Sequence, residues 1–127
     1  MPSIVLLMWR KAIAESLLTE LKKETGIQLF YEPDYTKAVT GIQNHEAKVA
    51  LIEAAEVCDR DITYCLDVCA TLRREAASCK LILMCSEKDE EAVAQAVSAK
   101  QDGHIDDFVF YDASLGYLSS KLLAMLQ

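Results

Sequence analysis

Short apolar runs at Ile4-Val5-Leu6-Leu7, Val49-Ala50-Leu51-Ile52, Leu81-Ile82-Leu83-Met84 and Phe108-Val109-Phe110 are followed by Met8 and Trp9, by Glu53, by Cys85 and Ser86, and by Tyr111. In an open parallel sheet, ligands bind in the crevice beyond the carboxyl ends of the strands, so these are the residues that could meet one. They mix soft, aromatic and hydroxyl groups with a single carboxylate. No nucleophile, base and orienting group stand together among them, so none is assigned a catalytic role. The loops after the strands lack a glycine-rich phosphate cradle, and the chain has only four glycines, which argues against a nucleotide site.

Thiols are the other reactive groups. Five cysteines, at 58, 65, 69, 79 and 85, make an odd number in a chain that is not a small disulfide-dense scaffold, which reads as reduced thiols in a reducing compartment. Cys58, Cys65 and Cys69 fall along one side of a helix and raise a metal or redox reading. Ile62 and Leu72 share that stripe, however, there is no C-x-x-C, and His45 and His104 have no ligand-like spacing to the thiols. Buried cysteines acting as small hydrophobes are expected, and no metal site.

A chain of 127 residues, 52% hydrophobic, is long enough for one domain and too short for two, so residues 1–127 are read as a single domain. Twenty acids against 13 bases give a net charge of −7, which argues against nucleic-acid contact by this domain, since a basic stripe supplies that affinity. No apolar stretch approaches the roughly 20 residues needed to span a bilayer, and the N-terminus lacks a secretory signal pattern. The chain reads as cytoplasmic, without membrane contact.

These residues must be positioned by alternating strands and helices. Ile13, Leu17, Leu18 and Leu21 have helical spacing within residues 10–25, and Gly26 reads as the helix stop. A second strand is expected over Ile27–Tyr31, then a helix capped by Asp34 and carrying Ala38, Val39 and Ile42. A third strand, Lys48–Ile52, precedes a helix over roughly 59–77 that buries Ile62, Cys65, Cys69 and Leu72 and exposes Arg73, Arg74 and Glu75. Ser86 with Glu87, Asp89, Glu90 and Glu91 reads as the capped start of a fourth helix, whose narrow apolar face is Val93, Ala96 and Val97, so weak packing and mobility are expected there. The fifth strand is Asp107–Tyr111, and the last helix buries Leu115, Leu118, Leu122, Met125 and Leu126. Near-continuous apolar strands alternating with helices predict an α/β fold, a doubly wound five-stranded parallel sheet covered on both faces.

The run Gly26-Ile-Gln-Leu-Phe, then Asp34 to Ile42, then Ala47-Lys-Val-Ala-Leu-Ile-Glu53 resembles the second strand, second helix and third strand of response-regulator receiver domains. Gly103-His-Ile-Asp-Asp-Phe-Val-Phe-Tyr-Asp112 is similar to that family's Gly-x-Asp-Asp-Tyr-x-x-Lys-Pro stretch, with one extra residue after the glycine. The resemblance spans the whole chain and implies a flavodoxin-like three-layer fold. It also implies phosphoryl transfer to an aspartate after the third strand, Mg²⁺ held there with an acidic pair after the first strand, a Thr or Ser after the fourth and a Lys after the fifth. Here Met8 and Trp9 stand at the acidic pair, Glu53 at the phosphoacceptor, Cys85 or Ser86 at the hydroxyl, Tyr111 at the lysine and Asp112 at the proline.

One carboxylate without a lysine is too little to hold Mg²⁺ and a developing phosphate charge, so the Mg²⁺ site is expected to be lost and no cofactor is expected. The expected function is a degenerate, phosphorylation-independent receiver-like module in bacterial two-component signalling, not an enzyme. It would meet a protein partner, or a second copy of itself, through the fourth helix, fifth strand and fifth helix, with Glu90, Gln95, Asp106, Phe110, Tyr117 and Lys121 as contacts. A further output domain beyond residue 127 is compatible with the chain's end. Two alternatives stay open: a phosphorelay receiver using Glu53 or Asp59, and a small-molecule-sensing flavodoxin-like domain using Trp9, Cys85, Ser86 and Tyr111. Trp9 is expected to fill space left by the metal site, the Tyr111 phenol to bond Glu53 or a ligand, and His45 and His104 to be solvated.

Overall fold

In the computed structural model, which describes residues 1–24, 26–56 and 59–127, the chain alternates strand and helix throughout. The strands are β1 (Ser3–Leu7), β2 (Gln28–Glu32), β3 (Val49–Glu53), β4 (Lys80–Cys85) and β5 (Asp107–Phe110). The helices are α1 (Lys11–Leu21), α2 (Ala38–Asn44), α3 (Ile62–Glu75), α4 (Glu90–Gln101) and α5 (Leu115–Met125), with a 3-10 turn at Tyr35–Lys37 before α2. All strands run parallel in the order β2-β1-β3-β4-β5, so the direction of winding reverses between β1 and β3. That switch point opens a crevice at the carboxyl ends of β1 and β3. No helix among the described residues is long and apolar enough to cross a membrane.

Side chains alternate across the sheet and split the core in two. Ile4, Leu6, Val49, Leu51, Ile82, Met84 and Val109 face α1 and α5, where Leu17, Leu21, Leu118 and Leu122 cover them. Val5, Leu7, Ala50, Ile52, Leu81, Leu83 and Cys85 face the opposite layer, covered by Ile42 of α2, by Ile62, Cys65, Cys69 and Leu72 of α3, and by the alanines of α4. β1, β3 and most of β4 are buried on both sides, which is why they read as unbroken apolar runs.

Several local expectations are corrected. α1 stops at Leu21, and Gly26, at φ +84°, belongs to the turn into β2. Asp89, not Ser86, caps α4: its carboxylate accepts the Ala92 N–H at 3.1 Å, while Ser86 Oγ takes the Lys88 N–H at 3.2 Å within the preceding turn. α4 buries Ala92, Ala96 and Ala99, and Val97 points to solvent, because an i, i+4, i+7 row of small residues lets the helix lie close to the sheet. In α5, Leu118, Ser119 and Leu122 are buried and Leu115 is exposed. Asp34 does cap the turn before α2, accepting from the Thr36 N–H and hydroxyl at 3.1 and 2.6 Å, which holds its carboxyl below the usual range. Arg73 does not simply face water; its guanidinium binds Asp106 Oδ2 at 2.9 Å and the His104 carbonyl at 3.2 Å. Cys58 lies outside the described residues.

At the start of β5, Asp107 ties two helices together. Its buried carboxylate accepts Lys100 Nζ from α4 at 3.0 Å, Lys121 Nζ from α5 at 2.6 Å and the Phe108 N–H at 2.8 Å. Burial alone would raise this carboxyl; the bonds from Lys121, Lys100 and Phe108 outweigh it and lower its pKa. A group with a depressed folded pKa stabilises the fold above its unfolded value and loses that contribution as pH falls through the folded one. Asp107→Asn is therefore expected to destabilise the domain by about 1–2 kcal/mol at neutral pH, with the deficit shrinking below about pH 4. Urea unfolding of both proteins across that range checks it; a deficit that does not change with pH would remove the ionic account.

Candidate functional site at the carboxyl edge of the sheet

Glu53, the last residue of β3, is wholly buried, at 0% exposure. An ionised carboxylate there needs donors on both oxygens. The chain supplies them from the β1–α1 connection: the backbone N–H groups of Trp9 and Arg10 donate to Oε1 at 3.1 and 3.2 Å, and Arg10 Nε donates to Oε2 at 2.6 Å. Arg10 also precedes the first turn of α1, where free N–H groups and the helix dipole favour a negative charge. Glu53 thus ties down the backbone immediately before α1, whose N-cap residue Arg10 makes no side-chain cap bond of its own.

Arg10 is the site residue that sequence reasoning missed. Its guanidinium carbon lies 4.2 Å from the centroid of the Tyr111 ring and 5.4 Å from that of Trp9, so the cation is bracketed by two aromatic faces and a carboxylate. The available signal was a lone acid at a strand end, which demands a counter-charge, and Arg10 is one of three bases, with Arg60 and Lys88, in the loops at that end of the sheet. The absence of a cation at this crevice, expected above, is corrected: the cation comes from after β1 instead of after β5.

The expected roles of the neighbours change accordingly. Met8 is fully buried in the core beneath α1 and α5, whereas Trp9 is 39% exposed, so Met8 and Arg10 fill the crevice and Trp9 covers it. The Tyr111 phenol makes no well-formed hydrogen bond with Glu53 or any other described group, and Arg10 Nη2 is likewise without one, although both atoms are buried. Burial and the Glu53 charge raise the Tyr111 pKa, while Arg10 and the approaching Trp9 indole act the other way. Behind the site, the Glu53 carbonyl accepts from the Tyr35 hydroxyl and, at 3.6 Å, from Cys65 Sγ; Tyr35 is a second residue that pattern reading did not single out. Burial, with the nearby Cys65 and Glu53, raises the Tyr35 pKa far above its usual value.

Cys85 ends β4 with its thiol buried, and Ser86 opens the next turn; neither hydroxyl nor thiol bonds Glu53. His45 is exposed but stacks on Phe30 at 3.5 Å, and His104 is exposed in its loop. The donor set does not fit Mg²⁺, which requires hard oxygen ligands in octahedral array. Both Glu53 oxygens already hold N–H donors, Met8 and Trp9 offer no side-chain oxygen, and no group of three metal-ligating side chains occurs among the described residues. A hollow of about 1120 Å³ opens at the other end of the sheet beside His45, Lys48 and Cys79, away from this chemistry.

Two consequences can be measured. Glu53 has no access to water, whereas the Arg10 side chain is 32% exposed, so stranding the acid costs more than stranding the base. Arg10→Ala should lose about 2–4 kcal/mol and Glu53→Gln about 1–2 kcal/mol in urea unfolding; the reverse order would show that Arg10 is not the counter-ion. Burial raises the thiol pKa to about 12 at Cys69 and Cys79 and about 11 at Cys85, the last also through Asp89. These thiols should resist iodoacetamide at neutral pH and react once urea unfolds the chain, as read by peptide mass mapping.

No protein-family model matches the chain, and no curated protein matches it. Solved structures do. A response regulator from Thermotoga maritima superposes with a TM-score of 0.79 at 14% identity, covering 99% of this chain and 98% of that one. A response regulator receiver domain protein from Methanospirillum hungatei gives 0.79 at 15% identity over 99% and 94%. An orphan response regulator of H. pylori gives 0.79 at 12% identity over 99% and 97%. The chain has the receiver-domain fold over its whole length, and within that fold Arg10 and Glu53 meet at the switch point.

Proposed function

We propose that this domain is a receiver-like module that works through protein contacts, without a phosphoryl switch and without enzymatic activity. The observation that carries the reading is the buried Glu53 carboxylate, whose Oε1 accepts the Trp9 and Arg10 N–H groups and whose Oε2 accepts Arg10 Nε. A nucleophile must present a free oxygen lone pair to phosphorus at near-attack distance; this one is committed to donors and buried. An internal guanidinium stands where the resemblance would place a metal ion, and it cannot be removed by dilution or chelation.

Contacts are proposed on the side made by α4, β5 and α5, through Glu90, Gln95, Phe110, Tyr117 and Lys121. Asp106 contributes there only indirectly, because Arg73 and the Leu81 N–H occupy its carboxylate. The charge pattern favours a foreign partner over a second copy. Glu87, Glu90, Glu91 and Asp112 are exposed on this side, while Lys100 and Lys121 are already committed to Asp107, so two copies would bring acid against acid. A phosphorelay role for Glu53 or Asp59, and a ligand-sensing role for the crevice, both require Arg10 to vacate it.

Incubation with acetyl phosphate and Mg²⁺ followed by intact-mass measurement tests the reading. No added phosphoryl group is expected, in the native chain or in Glu53→Gln; a stoichiometric gain that Glu53→Gln abolishes would establish a working receiver instead.

A further inference from the structure

β2 lies at the edge of the sheet opposite β5, paired with β1 on one side and with no strand on the other among the described residues. The Gln28 N–H donates to the Pro2 carbonyl at 2.9 Å, and bonding residues alternate along a parallel ladder. Gln28, Phe30 and Glu32 therefore turn their backbone groups toward β1, and Leu29 and Tyr31 turn theirs outward. No hydrogen bond among the described residues takes those outward groups. None of the five strand residues is buried, whereas β1 and β3 are buried throughout. The usual defences of a free edge are missing as well. The strand has no proline and no lysine, and its one charge, Glu32, sits at the end; β5, by contrast, spans only four residues and holds Asp107 bound to Lys100 and Lys121.

We propose that this edge pairs with the β2 edge of a second copy of the chain, antiparallel about a twofold axis at Phe30, so that one sheet runs through both copies. In that register Leu29 stands opposite Tyr31 of the second copy, each such pair exchanging two N–H···O=C bonds, and every outward backbone group of the strand is satisfied. This self-match selects a second copy over a foreign strand. It sets an aliphatic side chain against an aromatic one on each side of the axis, Phe30 against its own counterpart where side chains approach most closely, and neutral Gln28 opposite Glu32. Phe30 is already held by its stack on His45, with ring centroids 3.5 Å apart, so little side-chain freedom is lost there. The flanks match too. Lys22 before β2, and Glu32 and Asp34 at its end, have no salt-bridge partner among the described residues, and antiparallel pairing turns the basic flank of each copy toward the acidic flank of the other. That offsets locally the net charge of −7 that otherwise opposes self-association. Five residues per strand make a small contact, so a reversible, concentration-dependent dimer is expected. The pairing leaves the α4, β5 and α5 side free and does not depend on whether Glu53 accepts a phosphoryl group.

Sedimentation velocity of the full chain from micromolar to millimolar concentration is expected to show a monomer–dimer equilibrium. Tyr31→Pro removes an outward N–H while sparing the bonds to β1, and should weaken the dimer about tenfold or more. Gln28→Lys, at an exposed position, sets a base opposite Glu32 twice over and should tighten the dimer about fivefold, and Gln28→Glu should loosen it by a similar factor. Gln101→Lys, which makes the same change in net charge at an exposed position of α4, and Tyr117→Ala on α5 should leave it unchanged. Circular dichroism checks that each variant is folded; where Tyr31→Pro is not, the two Gln28 variants decide. A chain that stays monomeric throughout, a dimer indifferent to both Gln28 substitutions, or one that Tyr117→Ala abolishes would overturn the proposal.

Discussion

A carboxylate sealed at the switch point of a parallel sheet has to be neutralised from within, and the Arg10–Glu53 pair does so. The desolvation cost of burying one ion is several kcal/mol, recovered only when its remaining lone pairs are bonded and its counter-ion is close. Here three N–H donors converge on Glu53, and two of them belong to the backbone of the β1–α1 connection. The pair therefore fixes more than its own charges: it ties the backbone between β1 and α1 to the end of β3. Tyr35 and Cys65 hold the Glu53 carbonyl from the opposite face, so the residue is pinned at both its main chain and its side chain.

A similar economy of charge governs the far edge. α4 contributes only alanines to the core, and an alanine row buries little area, so apolar packing alone anchors it weakly. Lys100 reaches from its last turn to Asp107, where it meets Lys121 of α5. Lys100 also favours the negative end of the α4 dipole. The helix is thus held at its base by ions and along its length by close approach. Its upper end, rich in acids that suit the positive end of the dipole, is left facing solvent.

Much of this architecture was legible in the residues. β1, β3 and β4 are apolar without interruption because both their faces are covered, and no other environment for such short runs fits a chain of alternating elements. Asp34 was readable as a cap because aspartate before a helical pattern has one common use. The misreadings have a shared cause. Ser86 and Asp89 are both competent caps, and which one serves depends on where the turn after β4 ends. Val93 and Val97 look more core-like than Ala92 and Ala99 by hydrophobicity, but the distance from helix to sheet selects the small residues. Arg10, directly after a strand and before a helix, looks like any solvated base, and only the tertiary meeting of β1 with β3 reveals its partner.

The unusual residues of the crevice are best understood as one set rather than as separate losses. With a guanidinium fixed at Arg10, a lysine at position 111 would place a second cation about 4 Å away, repelling it by roughly 4 kcal/mol at an effective dielectric of 20; an aromatic ring there is attracted to the cation instead, and Tyr111 makes that contact. Acids at positions 8 and 9 would compete with Glu53 for the same guanidinium and would add uncompensated charge to a buried corner, where Met8 packs into the core and Trp9 offers its face to Arg10. The extra methylene of glutamate carries the carboxylate from the end of β3 to the loop after β1, so it bonds Arg10 and two backbone amides at once. Met8, Trp9, Glu53 and Tyr111 thus suit one another around a single internal cation, although Arg10 Nη2 and the Tyr111 hydroxyl are left without a hydrogen bond.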